Sequence, residues 1–322
     1  GYALQDTSSL PPPAKGGLVI ACGNGKLAPA LAKAMQAECI ASGSAERLAG
    51  KLSGIQGQPV LFVCEGGSEN GSDVNGGESA ICSEALDAFR ALASSAKPGR
   101  FWFVTANTAQ LPGEQGGLRG SSLLGLGRTI GAESPDIWGG ALDLDSGADE
   151  RSVTMAARFI AVCRAVLLGM VRDGAFQQQV LKRLSASGGQ AMPQPKKDST
   201  YLITGGFGAL GLRAAEWLAG KGAGCIVLVG RSDRSAACAG DIEKIRALGA
   251  RVEGMAADTA DPASVQALIG KIKGSLPPLD GVFHAAGILD DAMIPDMSSG
   301  RMAKVMQPKA EGALNLHLAT KG

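Results

Sequence analysis

The chain reads as an α/β protein made of two Rossmann-like parallel-sheet subdomains. Three observations carry this reading. Short apolar runs alternate with helical patterns through both halves, a glycine-rich phosphate loop opens only at Thr204, and a polar Gly/Pro-rich stretch, Ser185–Asp198, separates the halves. Continuous apolar runs suit strands buried on both faces, and strand–helix alternation argues a parallel sheet.

In chain order, the first half offers strands at Gly17–Cys22, Pro59–Cys64 and Phe101–Thr105, with helices over Glu78–Ser94 and Glu150–Leu168. Its first strand runs into Gly23-Asn24-Gly25-Lys26-Leu27-Ala28, which fits the pattern GxGxx(G/A). The segment after the next strand, Ile40–Ala45, has neither an acidic group for a ribose nor an arginine for a phosphate, so this loop is expected to be a tight strand-to-helix turn. Ser185–Asp198 cannot form an element and reads as a linker, with the boundary near residue 195. The second half offers strands at Tyr201–Thr204, Cys225–Val229, Arg251–Ala256 and Gly281–His284. Helices over Gly211–Ala219, Ala239–Leu248 and Ala263–Ile272 fall between them.

Composition narrows the function. Among 322 residues, 31 Lys+Arg stand against 30 Asp+Glu, a balance that gives no field to attract nucleic acid or an anionic membrane. Seven cysteines include no CxxC pair, and Cys22, Cys64 and Cys225 lie in apolar runs where a thiol packs as a small hydrophobe, so no metal is expected. Runs such as Ala165–Val171 fall far short of the roughly 20 residues of a membrane span, and no signal pattern opens the chain. The expectation is a reduced, soluble, cytoplasmic protein.

The second glycine loop is the stronger candidate site. Thr204-Gly205-Gly206-Phe207-Gly208-Ala209-Leu210-Gly211 follows a strand and opens a helix, so its glycines let backbone approach a pyrophosphate that the helix N-terminus attracts. One strand later stand Arg231 and Ser232, where an NAD-specific site carries an acidic residue; a guanidinium there pairs with a 2′-phosphate and favours NADPH. Past the third strand, Asp258 and Thr259 could meet the adenine, or Asp258 could simply cap a turn. After the fourth come His284, Ala285, Ala286 and Gly287, whose small members leave room for a cofactor at the carboxyl edge of the sheet. His284 equally fits a buried, satisfied histidine.

Taken together, TGGFGALG, GRS, ADTAD, HAAGILDD and PKAEGALNLH resemble, in order and spacing, the catalytic subdomain of ketoreductases from modular type I polyketide synthases. These are short-chain dehydrogenases/reductases related to the fatty acid synthase ketoreductase. Leu124–Pro135 and Trp138–Leu144 resemble the structural subdomain of the same proteins. The resemblance implies that residues 1–195 are a degenerate copy that binds no cofactor, and that 196–322 are the N-terminal part of the NADPH-binding copy. It further implies reduction of a β-ketoacyl thioester held on the phosphopantetheine arm of an acyl carrier protein, among neighbouring synthase domains. Lys309, at the Pro308–Lys309 step, matches the lysine that holds the nicotinamide ribose. Leu289-Asp290-Asp291 matches the substrate-steering triplet of the B-type group, whose products carry the D-configured (R) hydroxyl. The resemblance places the catalytic serine and tyrosine after Gly322; Tyr2 and Tyr201, the two tyrosines present, match neither, so these residues alone are not expected to reduce a ketone. The alternative is a non-reducing, ketoreductase-like domain that braces a synthase, and the intact loop, Arg231 and Lys309 argue against it.

Overall fold

The computed structural model describes residues 2–4, 7, 9–43, 45–65, 77–111, 113–114, 116–145, 147, 149–162, 166–180, 183 and 194–321. The valine-, isoleucine- and phenylalanine-rich runs become central strands because both faces of each are covered: Phe101–Ala106 and Trp138–Leu144 are buried at every residue. In order the chain forms β1 (Tyr2–Leu4), β2 (Leu18–Cys22), α1 (Leu27–Met35), β3 (Glu38–Ala41), α2 (Ala45–Leu52), β4 (Val60–Glu65), α3 (Gly77–Ala93), β5 (Phe101–Ala106), α4 (Ser121–Glu133) and β6 (Trp138–Leu144). Then come α5 (Glu150–Val162), β7 (Val166–Arg172) and β8 (Ala175–Gln179). Among the described residues these strands make one sheet in the order β1-β8-β7-β6-β5-β4-β2-β3, parallel except at β8, which runs antiparallel to both β7 and β1.

One expectation fails here. The apolar run expected to be helical over Glu150–Leu168 leaves the helix at Val162, and Val166–Arg172 becomes a strand between β6 and β8. A short apolar run fits a buried strand as well as a buried helix, and the two-sided burial offered by the sheet decides. The motif Leu124–Pro135 has a packing explanation: a Cβ at Gly127 or Gly131 of α4 would lie 2.8 Å from the ring of Trp138, so only glycine lets the helix approach the indole. Asp143 of β6 is fully buried but satisfied, accepting from Thr105 Oγ1 at 2.5 Å, Thr108 N at 2.9 Å and Arg172 Nη2 at 2.7 Å.

The second half forms β9 (Thr200–Thr204), α6 (Ala209–Gly220), β10 (Cys225–Gly230), α7 (Ala239–Ala247), β11 (Arg251–Ala256), α8 (Pro262–Ser275) and β12 (Leu279–His284). A 3-10 turn (Ile294–Asp296), α9 (Ser299–Met306), a π-turn (Gln307–Glu311) and α10 (Gly312–Thr320) follow. Its strands pair in parallel in the order β11-β10-β9-β12. Asp261 caps α8, accepting from Ala263 N and Ser264 N, with Pro262 in the first turn.

Two compact units result, Gly1–Leu184 with Asp291–Met302, and Ser185–Asp290 with Ala303–Gly322. This division differs from a single cut near residue 195. Residues 291–302 group with the first unit because Ile294 is tied into it, its N–H donating to Glu133 Oε2 at 2.7 Å and its carbonyl accepting from Arg90 Nε at 3.1 Å. Of the expected linker, 185–193 lie outside the described residues and 194–198 form neither helix nor strand. Among the described residues, no helix is long and apolar enough to cross a membrane, and no cluster of His, Cys, Asp and Glu could hold a metal ion.

Candidate active site

Strand order places the site. In the second unit the chain lays β10 and β11 on one side of β9 and β12 on the other, which opens a crevice at the carboxyl ends of β9 and β12. A cavity of about 320 Å³ lies there, lined among others by Thr204, Gly205, Arg231, Asp258, Gly287 and Pro308.

The glycine loop has its shape because backbone crowds it on every side. Gly205 sits at φ +64°, and a Cβ on it would lie 2.6 Å from Ala285 O; one on Gly206 would lie 2.8 Å from Leu228 Cα, and one on Gly211 2.6 Å from Gly206 Cα. Gly208 starts α6 with extended backbone and no side-chain cap, so the first helical N–H groups keep their hydrogen-bonding capacity toward the crevice end of the helix. Phe207 turns into the core at 8% exposure, and Leu210 is 80% exposed.

Across the crevice, Arg231 is exposed, lines the cavity and makes no hydrogen bond or ion pair among the described residues. Its loop is shaped by Asp233, whose Oδ1 accepts from Ser235 Oγ at 2.6 Å and Ser235 N at 2.9 Å; these bonds hold its carboxyl below the usual aspartate range. Ser232 is exposed beside Arg231. Asp258 lines the cavity and also caps its turn, accepting from Ala260 N at 3.0 Å. Thr259 is buried, and its carbonyl accepts from Asn315 Nδ2 at 2.9 Å, a tie between α10 and the loop after β11 that sequence reasoning missed.

His284 takes the satisfied role. Its Nε2 lies 2.7 Å from Pro308 O, and since a carbonyl only accepts, Nε2–H donates; its Nδ1 is hydrogen-bonded to Thr204 Oγ1 at 2.7 Å. Both ring nitrogens are therefore engaged, which leaves none for a cofactor. Thr204, expected in the phosphate loop, uses its buried hydroxyl here and also accepts from Ala286 N at 3.3 Å. Lys309 is exposed, without hydrogen bond or ion pair among the described residues, and its Cε would stand 3.3 Å from a Cβ on Gly287. The stem of Lys309 thus passes beside Gly287, itself a residue of the cavity lining.

Of the triplet, Leu289 is 80% exposed and Asp290 Oδ2 pairs with Lys304 Nζ at 2.9 Å. Asp291 offers its carbonyl to Arg301 Nη2 at 2.6 Å. The 3-10 turn that follows has Met293 at its N-cap, with no side-chain cap.

The first unit has the same kind of switch point, between β2 and β4, and fills it differently. Glu65, at the end of β4, accepts from Leu27 N at 2.6 Å, at the start of α1, and the space it takes is the space a side chain on Gly25 would need. Cys64 pairs with Cys22 in register, as His284 pairs with Thr204, so Glu65 stands where the second unit has Ala285. A carboxylate of the protein itself occupies the helix end.

These features define a Rossmann-like protein with one open dinucleotide-type crevice and one closed copy. Comparison with known proteins narrows the class. A family model described as "KR domain" matches residues 199–322. The chain is 31% identical over 275 residues to a 6-methylsalicylic acid synthase of Arthrobotrys oligospora, covering 80% of this chain and 15% of that protein. It is 34% identical over 256 residues to a phenolphthiocerol/phthiocerol polyketide synthase of Mycobacterium tuberculosis, covering 74% and 14%. The chain thus spans about a seventh of the length of these relatives. Among solved structures, the ketoreductase from the first module of phoslactomycin biosynthesis in Streptomyces sp. HK803 matches with TM-score 0.77 and 26% identity over 99% of this chain and 68% of that one. The first ketoreductase of the tylosin synthase matches with TM-score 0.75 and 28% identity over 99% and 70%. Residues 199–322 belong to the KR-domain family, and the chain as a whole is similar in sequence and fold to ketoreductase domains of polyketide synthases.

Proposed function

We propose that the second unit binds NADPH in this crevice, and that the chain serves reduction of a β-ketoacyl thioester on an acyl carrier protein to the β-hydroxyacyl thioester. The observation that carries the reading is a cavity lined both by the first residues of the glycine loop, Thr204 and Gly205, which leads into the uncapped start of α6, and by Arg231, a guanidinium with no partner among the described residues.

The residues present fit that cofactor. Gly205, Gly206 and Gly211 leave the backbone bare for the pyrophosphate, Arg231 suits a 2′-phosphate, and Asp258 stands at the adenine side. When bound, NADPH supplies the hydride. Lys309, beside Gly287, holds the nicotinamide ribose and brings a positive charge to the place where a proton must be delivered. Tyr201 is not the proton donor: its hydroxyl accepts from Lys196 N at 2.7 Å and donates to Asp280 Oδ2 at 3.0 Å, three residues before Thr204 along β9. Leu289, Asp290 and Asp291 steer the thioester so that the hydride reaches one face, which gives the D-configured (R) alcohol. The relatives are long synthases, one of them named as a polyketide synthase subunit, which supports neighbouring synthase domains.

The test is cofactor discrimination. Arg231→Ala should weaken NADPH by on the order of 1.5–3 kcal/mol, the range for a hydrogen bond to a charged group, and leave NADH nearly unchanged in a nicotinamide-fluorescence titration. Equal weakening of both would remove Arg231 as the phosphate ligand, and no saturable signal in the unaltered protein would favour a purely bracing domain.

A further inference from the structure

We infer that His284 is a positioning residue: through the Pro308 carbonyl it fixes the π-turn that holds Lys309 beside Gly287. The inference rests on the role of Lys309 proposed above and adds what holds that lysine in place.

The helical run after Met306 is irregular for a local reason. Pro308 has no N–H to give to the preceding turn, and residues Gln307–Glu311 adopt a π-turn in which Gly312 N–H reaches back to Gln307 O. An α-helical register over the same residues is the obvious competitor. It would turn Lys309 away from its present position, because each residue added to or removed from a turn rotates the side chains that follow. Lys309 itself contributes nothing to the choice, since it has no hydrogen bond or ion pair among the described residues.

His284 touches both ends of this turn. Its Nε2–H donates to Pro308 O at 2.7 Å, and its Cε1 would lie 3.3 Å from a Cβ on Gly312, the first residue of α10. The ring cannot swivel, because Nδ1 is hydrogen-bonded to the Thr204 hydroxyl at 2.7 Å and Thr204 is fully buried in the central strand β9. The order is therefore continuous from rigid sheet to functional side chain. Thr204 holds His284, His284 holds Pro308 O, and the next residue is Lys309.

The experiment uses the full-length protein with two substitutions that separate the two ring nitrogens. His284→Asn keeps an acceptor near Thr204 and loses the bond to Pro308; His284→Gln can place an amide N–H near the position of Nε2. Expected for His284→Asn is a fall in kcat of about tenfold or more with the KM for NADPH changed less than about threefold. The alkaline limb of the kcat profile should move to higher pH as the ammonium leaves the proton donor, and His284→Gln should recover most of both effects. A second readout does not depend on catalysis: hydrogen exchange at the Gly312 amide should quicken about tenfold in the Asn variant, with the later amides of α10 unchanged, and slow again in the Gln variant. If the unaltered protein reduces nothing, the proposed activity falls and the exchange measurement alone decides the positioning role. Unchanged exchange in a folded Asn variant overturns the inference, as do unchanged kcat and pH profile in an active one. Should the Asn variant fail to fold, Thr204→Val, which removes the hydroxyl that holds the ring, must show the same quickened exchange for the inference to stand.

Discussion

Glu65 offers a direct measure of how the first unit closes its own glycine loop. Its carboxylate accepts from Leu27 N at 2.6 Å at the start of α1, which has neither a side-chain cap nor an acidic residue in its first turn. Glu65→Ala removes a hydrogen bond to a charged group, about 1.5–3 kcal/mol, and a favourable charge at a helix N-terminus, about 0.3–1 kcal/mol. Glu65 is only half-buried, so the lower part of the combined range applies, about 2 kcal/mol. Glu65→Gln keeps an acceptor oxygen and loses the charge, and should cost about 1 kcal/mol. Urea unfolding read by tryptophan fluorescence isolates this unit well: Trp102 and Trp138 are 0% and 4% exposed in its core, while Trp217 of the second unit is already 44% exposed. With a slope of about 2 kcal/mol per molar urea, the alanine variant should unfold about 1 M earlier and the glutamine variant about half that. An unchanged midpoint for Glu65→Ala would refute the argument that the carboxylate stabilises the helix start. Equal losses for both variants would show that its charge contributes nothing.

Asp149 caps α5, taking Ser152 N at 3.0 Å and Ser152 Oγ at 2.8 Å, and the backbone and hydroxyl of Ser152 hold its carboxyl below the ordinary aspartate range. Asp149→Ala should cost about 1 kcal/mol at neutral pH, and because the folded-state pKa is lowered, the difference from the unaltered protein should persist above about pH 4 and close as pH falls further, as followed by thermal unfolding. Chiral chromatography of the alcohol made by the full-length enzyme should find the D-configured (R) product in at least tenfold excess, a discrimination of about 1.4 kcal/mol between faces. A predominantly L-configured product would remove the steering role of Leu289, Asp290 and Asp291 and leave the reductase reading standing.

The parts of the site that could be read in the sequence are those that local geometry dictates. Gly205, Gly206 and Gly211 are each demanded by backbone within reach, so their spacing carries the loop without any knowledge of the rest. Arg231 and Asp258 follow strands directly, and a residue just past a parallel strand must fall at the carboxyl edge where the crevice lies. Other features depend on partners far along the chain. His284 with Pro308, Asn315 with Thr259 and Lys304 with Asp290 join residues 24, 56 and 14 positions apart, and nothing in either member announces the other. The helix expected to run to Leu168 fails for a related reason: whether Val166–Arg172 is helix or strand depends on the free edge of β6, not on its own residues.

The contrast between the two copies turns on one register position. Each unit ends a central strand in a glycine loop and places a second strand beside it across the switch point, with Cys22 opposite Cys64 in one and Thr204 opposite His284 in the other. The residue that follows is Glu65 in the first and Ala285 in the second. A carboxylate there reaches the N–H of the opposing helix and stands in for an anion; a methyl group cannot. The helix donors of the second unit therefore have no partner supplied from that position. The hydroxyl and imidazole at the paired positions of that unit instead form the bridge toward Lys309. One loop type thus meets a carboxylate of the protein itself in the first unit and a methyl group in the second, with the deciding side chain lying on the neighbouring strand and outside the glycine motif itself.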